Sequence, residues 1–207
     1  MNSDFIITRE EQLLSIFGEP SDLVKQKVGD CLNDAMRTFI GRSPLVFYAT
    51  VDSRGLIDVS PKGDAPGFVH IQKDGSLLIP DRPGNKLIYG YRNLLSNPGI
   101  GLIFVVPNMR ETLRVKGRAT LSNDPQWLNL LSAQSKPATL CAHVEVEECF
   151  FHCGKALIRS KLWKPEDWTD YKDSLLARGL ASKLDSPEIT EQVVQEHLER
   201  SYKDDLY

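Results

Sequence analysis

Residues 58–68, DVSPKGDAPGF, close a run that alternates like a β-strand and set Ser60, Pro61, Lys62, Gly63 and Asp64 in succession. Pro fixes φ and Gly tolerates positive φ, so the plain reading is a loop that reverses the chain. That leaves Lys62, a cation on a stiff turn beside backbone N–H groups free of any ladder, which is an arrangement suited to a phosphate. A second stretch of the same character, PDRPGNK (residues 80–86), follows the apolar run SLLIP and offers Asp81, Arg82, Asn85 and Lys86 at what reads as a helix start. Unpaired N–H groups and partial positive charge at a helix N-terminus also favour a phosphate. For either loop alone, a solvated turn with a helix cap carries about equal weight; two such loops count against it.

In a third stretch, CFFHCGKALIRSKLW (residues 149–163), Lys155, Arg159 and Trp163 stand four residues apart. On one helix they share a face, a cation–cation–indole stripe for an anionic planar ligand. The competing reading is an amphipathic helix whose Trp packs inward while Lys and Arg reach water. Cys141, His143, Cys149, His152 and Cys153 include zinc-ligand types. On an extended strand they spread beyond a tetrahedral site, and no C-x2-C pair exists, so buried free thiols are expected and zinc is a remote alternative. His70, His143, His152 and His197 have no nucleophile motif beside them.

The elements that must position these groups follow from periodicity. Residues 10–41 carry apolar groups at helical spacing (Leu13, Leu14, Phe17; Leu32, Ala35, Met36, Phe39, Ile40), broken at Gly18-Glu19-Pro20 and Gly29, which predicts two or three short helices. From Pro44 the pattern changes to seven β-branched and aromatic runs: LVFYATV, LIDVS, GFVHI, SLLIP, IGLIFVV, ETLRVKGRATL and TLCAHVEVEECFF. The links DSRG and QKDG are hairpin-length, so neighbouring strands should be antiparallel and form a small closed or partly closed barrel. A helix is predicted over about 85–95, stopped by Ser96-Asn97-Pro98, and another opens at Asp124-Pro125 as N-cap and N1. After Phe151 the chain turns helical again in PEDWTDYKDSLLARGL and SPEITEQVVQEHLERSYKDD. The expected organisation is one structural domain: helices over 1–41, a barrel over 42–163 and helices over 164–207.

Composition bounds the function. With 25 Lys and Arg against 28 Asp and Glu, a formal charge of −3 over 207 residues gives no global pull toward nucleic acid or an anionic membrane. No run approaches the roughly 18 apolar residues of a membrane helix, and the first residues lack a signal-peptide pattern, so a cytoplasmic location is expected. Four cysteines are too few for a disulfide scaffold in a chain of this length.

SPKGD, DRPGNK with RNLLSNP after it, ETLRVKGRA and FHCGKALIRSKLW together resemble the pyridoxamine 5′-phosphate oxidase-like FMN-binding split-barrel proteins, in particular a bacterial branch, over about Phe39 to Trp163. The resemblance implies a mainly β fold, a six-stranded antiparallel split barrel with helical N- and C-terminal decorations. It also implies a homodimer with one FMN at each end of the interface, held by residues of both chains. By position, Ser60, Pro61, Lys62, Gly63 and Asp64 match the run passing the flavin ring and phosphate, and Asp81, Arg82, Asn85 and Lys86 match the loop and helix start that hold the phosphate. Lys155 or Arg114 would supply positive charge near flavin N1 and C2=O, with Arg159 and Trp163 on the same segment as Lys155.

The chain departs from the best-known oxidases, which carry a Ser-Arg-Lys run where this one has an offset Asn85-Lys86. GKALIRSKLW also replaces their Trp and Arg-rich signature for vitamin B6 phosphate. The expectation is therefore a flavin-dependent oxidoreductase acting on another small molecule, the alternative being a non-catalytic flavin carrier or sensor on the same scaffold.

Overall fold

A computed structural model describes residues 5–171, 173–184 and 186–207. Residues 1–4, Lys172 and Asp185, which belong to the predicted helical flanks, lie outside the described residues. Three helices precede the sheet: α1 (Glu10–Phe17), α2 (Asp22–Lys25) and α3 (Asp34–Arg42). Only α3 buries an apolar face, Met36, Phe39 and Ile40, and its N-cap Asn33 accepts the Met36 N–H at 3.0 Å.

Seven antiparallel strands follow: β1 (Leu45–Val51), β2 (Ile57–Gly63), β3 (His70–Ile71), β4 (Leu77–Asp81), β5 (Gly99–Val105), β6 (Thr112–Ser122) and β7 (Leu140–His152). Their order is β2-β1-β5-β6-β7-β4-β3. All seven predicted runs become strands, so the six-stranded expectation is corrected to seven. The additional one is β3, two residues paired with the edge of β4. Alternation along β1, β5 and β6 sends Val46, Tyr48, Leu102, Phe104, Leu113 and Val115 inward, where they meet α3. A smaller core lies where α5 (Pro125–Leu130) covers Leu78 and Cys141 with Trp127 and Leu128. As predicted, Asp124 caps α5, accepting the Gln126 N–H at 2.8 Å, with Pro125 at N1. Between Lys116 and Gly117 the β6–β7 register shifts, and a Cβ on Gly117 would sit 1.9 Å from the Glu145 carbonyl oxygen.

Two helix expectations are corrected. The helix predicted from residue 85 is α4 (Tyr89–Ser96); Lys86 (φ 59) and Ile88 (φ 46) lie in the left-handed region, so the DRPGNK stretch and the residues after it remain a loop. GKALIRSKLW forms only the five-residue α6 (Lys155–Arg159), because Lys161 turns left-handed at φ 53. The stripe of Lys155, Arg159 and Trp163 on one helix therefore does not form. A 3-10 turn (Pro165–Asp167), α7 (Leu175–Leu184) and α8 (Glu191–Asp204) complete the fold. Among the described residues no helix is long and apolar enough to cross a membrane.

Candidate cofactor site

Of the predicted residues, Lys62 and Asp64 at the end of β2 and Asp81 and Arg82 at the end of β4 converge on the seam of the barrel. In the sheet order β2 is one edge strand and β4 lies near the other end, so no backbone ladder joins them. Side chains join them instead. Lys62 Nζ donates to Asp81 Oδ1 at 2.9 Å, and Arg82 Nε donates to Asp64 Oδ2 at 2.7 Å. Each pair takes one member from the β2 end and one from the β4 end, and the two carboxylates neutralise two of the three cations that the two loops offer for a phosphate.

Two tyrosines, unmarked in the sequence, complete the seam. Tyr91 of α4 donates its hydroxyl to Asp81 Oδ1, and its ring lies 4.7 Å from Lys62 Nζ. Tyr207, beyond α8, donates its hydroxyl to Asp64 Oδ1 at 2.9 Å. Asp64 is the most enclosed member, its side chain 4% exposed against 15% for Arg82. Burial pushes its carboxyl up, but the Ala65 N–H, Arg82 and Tyr207 outweigh this and hold it below the ordinary carboxylate value. Burial, then the bond to Asp81, raises the Tyr91 phenol; the bond to Asp64 raises that of Tyr207. Arg82 spends only Nε on Asp64, and its Nη groups make no hydrogen bond among the described residues.

The other predicted residues divide. Ser60 pairs across the ladder with Tyr48, while Pro61 and Gly63 alternate to the outer face. Asn85 folds on itself, accepting the Leu87 N–H at 3.1 Å, and Lys86 is exposed; neither bonds to the seam.

Arg114 stands 5.4 Å from the Phe150 ring, with Lys27 Nζ at 4.9 Å and His152 edge-on at 4.8 Å. Burial first, then Lys27 and Arg114, lowers the His152 pKa and favours the neutral imidazole. The Lys155 N–H, opposed by slight burial and aided by the charges of Lys155 and Lys27, lowers that of the Cys153 thiol. Arg114 and Lys155 thus belong to one cationic patch, to which Lys27 adds a charge with no motif around it. Glu148, the nearby carboxylate, is taken by Lys116 at 2.8 Å.

Arg159 is exposed at the end of α6, and Trp163 turns away to donate Nε1–H to the Met109 carbonyl at 2.8 Å. Gly154 lets this segment turn close to the β5–β6 connection, since a Cβ there would lie 2.6 Å from Arg110 Cβ. The Cys and His residues proposed for zinc lie along β7 and just past it; among the described residues no group of three or more potential ligands is gathered.

Pairing register links the patch to the seam. Pro61, Phe47, Ile103, Arg114 and Phe150 form one row across five strands, and Val59, Ala49, Gly101, Lys116 and Glu148 the next. The β2–β1 end of this outer face is apolar and bare: Ile57 is 71% exposed, Val59 62% and Phe47 39%. The small residues Ala49 and Gly101 make its middle shallow, and its β6 end is cationic.

A curled, wholly antiparallel seven-stranded sheet with helices at its flanks, closed at the seam by side chains, defines the class of split-barrel proteins. A model of the pyridoxamine 5′-phosphate oxidase family matches residues 32–153, from just before α3 to just past β7, and the chain belongs to that family. Among solved structures it is similar to HupZ of Group A Streptococcus, at 18% identity over 58% of this chain and 93% of that one, TM-score 0.48. It is also similar to a protein related to general stress protein 26, of the pyridoxinephosphate oxidase family, from Clostridium acetobutylicum, at 14% identity over 57% and 86%, TM-score 0.44. An F420 reductase matches at 19% identity over 58% and 98%, TM-score 0.42. A search of curated proteins finds no significant match.

Proposed function

We propose that this protein is a cytoplasmic, homodimeric flavoprotein that binds FMN across the dimer interface and acts as a flavin-dependent oxidoreductase on a small molecule other than pyridoxamine phosphate. The barrel of residues 42–163 is the cofactor-binding unit, flanked by helices of the same domain. Membership of the family, joined to a bare apolar sheet face whose β6 end carries Arg114, which makes no ion pair among the described residues, carries this reading. A planar ring needs a shallow apolar floor, a phosphate needs cations, and the residues present fit both. FMN supplies two-electron redox chemistry when bound.

The chain's own groups then have distinct tasks. Arg82 offers the phosphate its Nη groups while Asp64 holds Nε, and Lys86 and Asn85 lie on the loop that follows. Lys62 locks the seam through Asp81 and keeps the two loops together. Arg114 and Lys155 contribute positive charge that favours the anionic form of the ring. A second copy covers Ile57, Val59 and Phe47, keeping water off the floor.

The test is the cofactor itself. Purified protein should show flavin bands at about 370 and 450 nm, general flavin values, and release FMN, not FAD, on denaturation. Turnover of reduced nicotinamide by this holoprotein would separate an oxidoreductase from a carrier. Colourless protein that takes up no added FMN would refute the proposal.

A further inference from the structure

Asp64 is a shared acceptor. Its Oδ2 takes the Arg82 Nε–H at 2.7 Å, and its Oδ1 takes the Tyr207 hydroxyl at 2.9 Å and the Ala65 N–H at 2.7 Å. Three donors leave a nearly buried carboxylate little freedom to rotate, so the direction of its Oδ2, and with it the plane of the Arg82 guanidinium, depends on all of them. One of the three comes from 143 residues away. Tyr207 is itself anchored, because Lys136 Nζ, between α5 and β7, donates to its backbone oxygen at 2.5 Å. Tyr207 follows α8, which packs on α7, and Arg178 of α7 ties the two helices by reaching Glu191 of α8 at 3.6 Å. The C-terminal helical hairpin is thus fastened to the barrel at the seam, on the carboxylate that holds the cation offered to a phosphate. Residues 32–153, the stretch shared with the family, do not include this segment.

We infer that Tyr207 is a positioning residue: through Asp64 it sets the orientation of the Arg82 guanidinium, making the segment after α8 part of the anion-binding site. This rests on the proposed FMN site. Tyr207→Phe removes one hydroxyl and keeps the ring. It should raise the Kd of apoprotein for FMN about tenfold, the size of one hydrogen bond to a charged group acting at second hand, and leave the weaker riboflavin affinity unchanged. In an Arg82→Ala background the same substitution should have no further effect on the FMN-to-riboflavin ratio. A role in fold stability alone would move both ligands together and persist without Arg82.

A measurement on the apoprotein separates this inference from the functional reading. The 15N–1H signal of Arg82 Nε, assigned by its loss in Arg82→Lys, should be protected from exchange in the parent and lose protection in Tyr207→Phe. If the parent takes up no FMN, the proposed function falls, and this signal alone decides the positioning role. Unchanged protection, an unchanged FMN Kd in a parent that binds FMN, or an effect that survives Arg82→Ala would each overturn the inference.

Discussion

Lys62 and Arg82 are both cations that the sequence offers to a phosphate, Arg82 the better suited by its planar fork, and their partners give them different work. Lys62 is enclosed by Asp81 and the Tyr91 ring, and its ammonium is a point charge already spent on closing the barrel. Arg82 keeps part of its planar fork free. Arg82→Ala should therefore weaken FMN about 10- to 150-fold and leave riboflavin nearly unchanged, as removal of a charge-assisted hydrogen bond of roughly 1.5–3 kcal/mol requires. Lys62→Ala should depress both ligands and lower apoprotein stability by about 1–3 kcal/mol, since it leaves the Asp81 carboxylate without its counter-charge and with the Tyr91 hydroxyl alone. Parallel titrations of the two apoproteins with FMN and riboflavin distinguish these outcomes.

Asp64 makes a pH prediction of definite sign. Its folded carboxyl titrates below the unfolded value of about 3.9, so its stabilising contribution is complete above that value and fades as pH falls through the lower, folded one. The gap in denaturant midpoint between the parent and Asp64→Asn should be constant from pH 7 to 5 and shrink in stronger acid. A gap that widened on acidification would contradict the geometry at the seam.

At the scale of the element, β6 and β7 form the longest ladder, and its irregularity is built around one glycine. Any side chain at 117 meets the Glu145 carbonyl far inside contact distance, and a backbone atom cannot swing aside as a side-chain tip would. Gly117→Ala should cost about 1–3 kcal/mol or more, the usual penalty of overpacking, read as a lowered urea midpoint. The change bears on the proposed cofactor site because Arg114 lies on the same strand, and a shift in register would move it away from the outer face.

For the whole molecule, the β2–β1 face is the feature that one copy of the chain leaves unfinished. Ile57 and Val59 project from an edge strand whose other face closes the barrel, so water is excluded only if something packs on them. Sedimentation should report about twice 23.3 kDa. Val59→Lys places a charge in the row of Ala49 and Gly101, and it should yield monomers that lose FMN while the isolated barrel keeps its thermal transition. A Val59→Lys protein that stays dimeric would move the interface to another surface.

Local patterns determined much of this protein. Strand alternation, hairpin-length links and the Asp124-Pro125 start depend on neighbours a few residues apart, so all seven strands and the α5 cap were legible, as was the gathering of Lys62, Asp64, Asp81 and Arg82 near one site. Which charge meets which was not legible, because the partners sit 18 and 19 residues apart and meet only when the curled sheet brings its two ends together. Lys86 and Ile88 take left-handed backbone that the helical pattern does not signal, which delays α4 past the predicted start. The left-handed turn at Lys161 ends α6 where helical spacing alone would continue it. Tyr207 is the extreme case: no motif marks it, and only the packing of the C-terminal helices against the barrel carries its hydroxyl to Asp64. Periodicity is a property of short stretches, whereas neutralising a charge needs a partner in space, and that partner is chosen by the tertiary fold.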